Sequence, residues 1–131
     1  MNAIGLNLYN QLFMNKRVLI IEDELELSSL LQKFLVKKQY DVTCVDTISN
    51  AIKLIETSQY DAIILDNNLP DGKGIDVIPT INFMQRSPKI IAMSAMQVEE
   101  EALKAGASFY IEKPISLSAI YQLLNLDVVI D

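Results

Sequence analysis

Four short stretches of this sequence carry side chains that could do chemistry together: Glu22-Asp23, Asp66, Ser94 and Lys113. The first three directly follow apolar runs, Val18-Leu19-Ile20-Ile21, Ala62-Ile63-Ile64-Leu65 and Ile90-Ile91-Ala92-Met93, and Lys113 follows Phe109-Tyr110-Ile111 by two residues. A carboxylate at the C-terminal end of a buried parallel strand lies where open α/β sheets build their sites. Gathered at one rim, Glu22, Asp23 and Asp66 would repel one another, by about 4 kcal/mol for two unit charges about 4 Å apart at an effective dielectric of about 20. Such a cluster needs a cation or raised pKa values. Hard oxygen donors with room for water suit Mg²⁺. Lys113 adds a compact ammonium, and Ser94 adds a hydroxyl donor. Taken singly, each has a bland reading: solvated loop acids, a strand-end cap, a solvated lysine. Taken together they suit a phosphoryl group attached to an aspartate, with metal and lysine neutralising its equatorial oxygens and the hydroxyl donating to one of them.

The elements that must position these residues can be read from the apolar pattern. The continuous runs Val18–Ile21, Ala62–Leu65 and Ile90–Met93 read as buried parallel strands, joined by further strands at Asp41–Val45 and Phe109–Ile111. Between them, apolar residues recur at helical spacing: Leu27, Leu30, Leu31, Phe34 and Leu35, then Ile48, Ala51, Ile52 and Ile55, with Thr47 or Ser49 as the cap. The segment Asn67-Asn68-Leu69-Pro70-Asp71-Gly72-Lys73-Gly74 is rich in turn residues. A third helix is expected after it, with Ile75, Ile78 and Ile81 facing the core and Pro79 imposing a late start or a kink. Val98 to Ala105 reads as a short helix, with Glu99, Glu100 and Glu101 near its start, Lys104 near its end and Gly106 as its cap. Ser116 caps a last helix carrying Leu117, Ile120, Leu123 and Leu124. Strands alternating with helices predict an α/β fold, a flavodoxin-like doubly wound (βα)5 parallel sheet of order 2-1-3-4-5. That order sets the end of the first strand beside the end of the third, and so Glu22-Asp23 beside Asp66.

The chain has 131 residues, half of them hydrophobic, enough for one core without staples. The single cysteine, Cys44, cannot form an intramolecular disulfide and reads as a small core residue; a reducing, cytoplasmic location is expected. No apolar run approaches the roughly 18 residues needed to span a bilayer, so no membrane association is expected. A net charge of −6, without any basic stripe, argues against nucleic-acid binding. The absence of histidine excludes His-based metal sites, general bases and phosphohistidine chemistry within this chain. There is no internal repeat or low-complexity tract. The expected organisation is residues 1–15 as an N-terminal extension, 16–127 as the domain, and 128–131 as a tail. Leu6, Tyr9 and Phe13 leave the extension open between a short amphipathic docking or dimerisation helix and a disordered leader.

With these residues in place, the chain resembles the receiver domain of two-component response regulators over about residues 16–127. The resemblance rests on Glu22-Asp23, on Asp66 in Leu-Asp-Asn-Asn-Leu-Pro-Asp-Gly-Lys-Gly, on Ser94-Ala95, and on Tyr110-Ile111-Glu112-Lys113-Pro114. No one of these motifs is specific; four in order, each at the end of an expected strand, are. The resemblance implies that Asp66 is the phosphoacceptor and that Glu22 and Asp23 are the Mg²⁺ pair, with Asp66 and the backbone carbonyl of Asn68 completing the protein ligands. It implies that Ser94 and Lys113 contact the phosphoryl group, and that Tyr110 is an aromatic rotamer switch coupled to Ser94. It further implies a histidine kinase or histidine phosphotransfer protein as donor, a homodimer or a downstream protein as target, and no reaction beyond the domain's own phosphorylation and dephosphorylation. Two departures stand out. Ser94 and Lys113 are separated by a shorter stretch than the family pattern suggests, so the fourth helix should be shortened and the usual output face altered; Pro79 in the third helix is also unusual. No output segment is expected after the last helix, which suits either a stand-alone receiver or an excised one. Two other classes are weighed against this reading: a phosphate-independent receiver-like interaction module that keeps the site as a remnant, and an aspartyl-nucleophile phosphohydrolase. Haloacid-dehalogenase-like phosphohydrolases place a general-acid aspartate two residues after the nucleophile. Here Asn68 holds that position, and it cannot transfer a proton.

Overall fold

The computed structural model describes residues 16–126; the two readings at the termini, residues 1–15 and the 128–131 tail, lie outside the described residues. Among the described residues there are seven strands: β1 (Arg17–Ile21), β2 (Asp41–Val45), β3 (Ala62–Asp66), β4 (Asn68–Leu69), β5 (Gly72–Lys73), β6 (Lys89–Ser94) and β7 (Phe109–Glu112). Five helices of the described residues connect or follow them: α1 (Leu25–Lys37), α2 (Ile48–Ile55), α3 (Gly74–Gln85), α4 (Glu99–Ala105) and α5 (Leu117–Asn125). β4 and β5 form a small antiparallel hairpin. The other five strands form one parallel sheet in the order β2-β1-β3-β6-β7. Apart from the hairpin arms, this is the expected 2-1-3-4-5 order.

Alternation along the strands divides the core between the two faces of the sheet. Leu19, Ile21, Ile63, Leu65, Ile90 and Ala92 point toward α2, α3 and α4, meeting Ala51, Ile55, Ile78, Ile81 and Ala102. Val18, Ile20, Ala62, Ile64, Ile91 and Met93 point toward α1 and α5, meeting Leu31, Leu35, Ile120 and Leu124. The middle strand, β3, is buried along its whole length, Asp66 included. Cys44 is half-buried against the second of these clusters, and burial raises its thiol pKa, in keeping with a packing role.

Two local expectations meet different outcomes. α4 is short, seven residues from Glu99 to Ala105, and Gly106 ends it at φ 114°. α3, by contrast, does not start late: it begins at Gly74 and runs through Pro79. Proline there withholds an amide from the carbonyl four residues back. The burial of Ile78 and Ile81 on the same helix outweighs that loss.

Side chains serve the backbone where the pattern of apolar residues ends. Gln85, near the end of α3, is 3% exposed. Its carbonyl accepts from the Tyr60 amide at 2.9 Å, and its amide donates to the carbonyls of Ile55 (2.9 Å) and Ser58 (2.6 Å). This one side chain therefore pairs the backbone of the turn that feeds β3. At the start of α2, Thr47 caps the Asn50 amide at 3.0 Å, while Asp71 accepts from Ile48 and Ser49, each at 2.9 Å. Those two amide bonds hold the Asp71 carboxyl below its ordinary value of 3.8.

Gln85→Leu leaves three backbone groups, two of them buried, without this partner and should lower the unfolding free energy by about 2–3 kcal/mol, read as a lower urea midpoint at unchanged slope. The contribution of Asp71 carries the sign of a depressed carboxylate: it is complete above pH 3.8 and fades as pH falls through the folded-state value. The stability gap between wild type and Asp71→Ala should accordingly be full at neutral pH and shrink in acid; a gap that stays constant would contradict the assignment.

Candidate functional site

The C-terminal ends of β1, β3, β6 and β7 lie along one rim of the sheet, because all five strands of that sheet are parallel. β1 and β3 pair from Val18↔Ala62 to Ile21↔Leu65, so the next residues, Glu22 and Asp66, leave the sheet side by side. Carboxylate oxygens of Glu22, Asp23 and Asp66 all lie within 4.8 Å of one another. Glu22 and Asp66 are buried, at 1% and 2% exposure, whereas Asp23 faces solvent. β3 pairs with β6 through Asp66↔Met93, which sets Ser94 one residue past the partner of Asp66. β6 pairs with β7 through Ser94↔Glu112, and the Lys113 amide donates to the Ser94 carbonyl at 2.9 Å.

From there Lys113 reaches over the acids. Its Nζ lies 2.6 Å from Glu22 Oε1 and 3.1 Å from Asp66 Oδ1. Burial by itself would lower the ammonium pKa, but the two carboxylates beside it outweigh burial and hold it above its ordinary value. Glu22 is shifted upward, chiefly by burial and further by Asp66, against the lowering effect of Lys113 and of the Glu24 amide that donates to it. Three carboxylates against one ammonium leave a local excess of negative charge. The donors are all hard oxygens, and one of them is open to water. That set fits a hard divalent cation of the Mg²⁺ kind, which keeps part of its water shell.

The remaining expected residues lie on β4, β6 and β7. Ser94 is 2% exposed, and its Oγ accepts from the Met96 amide at 3.0 Å, leaving the hydroxyl hydrogen as a donor. Tyr110 is half-buried, and its hydroxyl donates to the Met96 carbonyl and, at 3.5 Å, to the Ser94 carbonyl. Asn68 lies exposed on β4, two residues beyond Asp66. The Lys113–Pro114 peptide is cis. Beside the cluster, Glu24, Leu27, Leu30, Ala95, Lys113, Pro114, Ile115 and Leu117 line an open, largely apolar cleft of about 430 Å³.

Sequence reasoning passed over two residues that fix Asp66 from behind. Asn67 donates its amide to the Met93 carbonyl (2.9 Å), accepts from the Gly74 amide on its own carbonyl (3.0 Å), and accepts from the Ile75 amide on Oδ1 (3.0 Å). Gly74 packs so closely that a Cβ there would lie 2.2 Å from the Asp66 carbonyl oxygen. The signal available for both was the turn segment itself: an Asx side chain bonding nearby backbone and a glycine permitting close approach.

Comparison with known proteins identifies the family. The family model for the response regulator receiver domain matches residues 18–125. The chain is 34% identical over 116 residues to the chemotaxis protein CheY of Thermotoga maritima, covering 86% of this chain and 97% of that one. It is 30% identical over 114 residues to the response regulator protein PilR of Pseudomonas aeruginosa, covering 83% of this chain but spanning only 25% of PilR. Among solved structures, it is similar to the receiver domain of the sensor histidine kinase PA1611 from Pseudomonas aeruginosa PAO1, which has a magnesium ion coordinated in its active site cleft. The TM-score is 0.75 at 29% identity, over 84% of this chain and 94% of that one.

The charge excess at the rim has a measurable consequence. Asp66→Asn removes one of three mutually repelling carboxylates while keeping the contact between Lys113 and Glu22. It should therefore raise stability by about 1–2 kcal/mol, a fraction of the full repulsion between adjacent unit charges. Added Mg²⁺ should close the gap by stabilising wild type more than the variant. Equal stabilities in urea without Mg²⁺ would show that the cluster is not under electrostatic strain.

Proposed function

Because the chain belongs to the response regulator receiver domain family, we propose that Asp66 accepts a phosphoryl group from a histidine kinase or histidine phosphotransfer protein, in a Mg²⁺-dependent reaction that switches a protein-interaction surface. The observation that carries this reading is the Lys113 ammonium set between Glu22 and Asp66 inside the three-carboxylate cluster. A lysine held charged beside an ionised aspartate both fixes one Asp66 oxygen and offers a cation to an incoming phosphoryl oxygen.

In the proposed reaction a carboxylate oxygen of Asp66 attacks phosphorus in line with the bond to the donor nitrogen. The P–O bond forms as the P–N bond breaks, and the electron pair leaves with the imidazole, which takes up a proton. Glu22, Asp23, Asp66 and the Asn68 carbonyl would hold Mg²⁺, which when bound supplies positive charge to the phosphoryl oxygens. Lys113 shifts from sharing Glu22 and Asp66 toward the new phosphoryl oxygens. Ser94 turns its hydroxyl hydrogen toward another, and in doing so changes its bond with the Met96 amide. Met96 is also held by Tyr110, so a change at Ser94 is relayed to α4 and β7. The domain acts on no separate substrate and promotes only its own phosphorylation and dephosphorylation. Among the described residues no helix is long and apolar enough to cross a membrane, and the proposed setting is cytoplasmic.

The direct test is labelling by a small phosphodonor such as acetyl phosphate. Wild type should gain one phosphoryl group when Mg²⁺ is present and none when it is chelated, and Asp66→Asn should gain none, as read by intact-protein mass spectrometry. Labelling of Asp66→Asn at the wild-type rate would place the acceptor elsewhere. A wild-type protein that binds no Mg²⁺ at millimolar concentrations and takes no label would instead support a phosphate-independent interaction module.

A further inference from the structure

Asp71 takes no part in the phosphoryl chemistry proposed above, yet it ties down the loop that carries Asn68. Its two carboxylate oxygens accept from the amides of Ile48 and Ser49 at 2.9 Å each, across 23 and 22 residues of sequence. These are the first amides of α2, donors that helix geometry leaves without an internal partner. Thr47 serves the next one, at Asn50. Gly72, beside Asp71, has φ 149°, and a Cβ there would meet the Ile48 side chain at 3.3 Å, so the hairpin turn sits directly on the start of α2. Leu69, in the same hairpin, is buried in the core.

On its other side the hairpin is anchored by Asn67, bonded to the carbonyl of Met93 and the amides of Gly74 and Ile75. Asn68 stands between the two anchors and pairs across the hairpin with Lys73. A backbone carbonyl has no rotamer to adjust. Its position follows from where the chain is fixed on either side.

We infer that Asp71 is a positioning residue for the metal-binding loop: by clamping the β4–β5 hairpin to the N-terminus of α2, it holds the Asn68 backbone in place as a ligand. The metal role of Asn68 rests on the function proposed above; the clamp itself does not.

Three variants of the whole chain test this. Asp71→Ala removes both acceptors and the charge. Asp71→Asn removes the charge but keeps one amide-accepting oxygen. Thr47→Ala weakens the start of α2 without touching the hairpin. For each, Mg²⁺ is titrated by calorimetry and hydrogen exchange is followed at the Gly74 and Ile75 amides. Asp71→Ala should weaken Mg²⁺ binding about tenfold, as for outer residues that orient metal ligands, and should speed exchange at both amides. Asp71→Asn should recover part of both, while Thr47→Ala should lower stability and leave both at wild-type values. Wild-type affinity and exchange in Asp71→Ala would overturn the inference. So would an Asn variant as weak as the Ala variant, which would reduce Asp71 to a charge effect, or a Thr47→Ala protein with the same Mg²⁺ defect. If the wild type itself binds no Mg²⁺, the phosphoacceptor reading fails, and exchange at Gly74 and Ile75 decides the clamp by itself.

Discussion

The Lys113 ammonium, 2.6 Å from Glu22 and 3.1 Å from Asp66, is the contact on which the rest of the rim depends. Two carboxylates buried to within a few per cent cannot stay ionised side by side without a counter-charge. One lysine offsets them only in part, and Asp23 adds a third negative charge at the solvent edge. The site is therefore held together by an attraction that leaves a residue of repulsion. In the proposed function, that residue is what would let a divalent cation, or a phosphoryl group arriving with one, lower the free energy of the folded state.

Maintaining this arrangement constrains the fold more than any one helix does. Glu22 and Asp66 are neighbours only while β1 and β3 pair in parallel and in register, since a slip of one residue would turn either acid to the opposite face. Lys113 reaches them only because β6 and β7 continue the sheet in the same direction. The apolar layers on both faces fix that register, with β3 buried throughout as the central strand. The close seating of Gly74 on the Asp66 carbonyl and the three bonds of Asn67 then remove the remaining freedom of the loop.

Much of this was legible in the sequence because the site residues sit at the ends of apolar runs. Val18–Ile21 and Ala62–Leu65 announce strands by composition, and the acids after them need only the sheet order to be brought together. The contacts of Gln85 and Asp71 were not legible. Each joins a side chain to backbone more than 20 residues away, and no periodicity encodes such a pairing. α3 shows the opposite case. Pro79 argues locally for a late start or a kink; the helix does not start late but begins at Gly74, where the chain must turn away from Asp66 and bury Ile78 and Ile81. Local propensity gives way there to packing.

Met96 shows how a small change at the rim can reach the surface. Its amide is held by the Ser94 hydroxyl and its carbonyl by the Tyr110 hydroxyl, while its own side chain is 67% exposed. α4 begins three residues after Met96, whose carbonyl also accepts from the Val98 amide, and is only seven residues long. A short helix makes few internal hydrogen bonds, so its placement depends heavily on the loop that leads into it. In the proposed switch, the shortened α4 does not remove the output face. It makes that face more dependent on the loop between Ser94 and Val98, and so on what Asp66 carries.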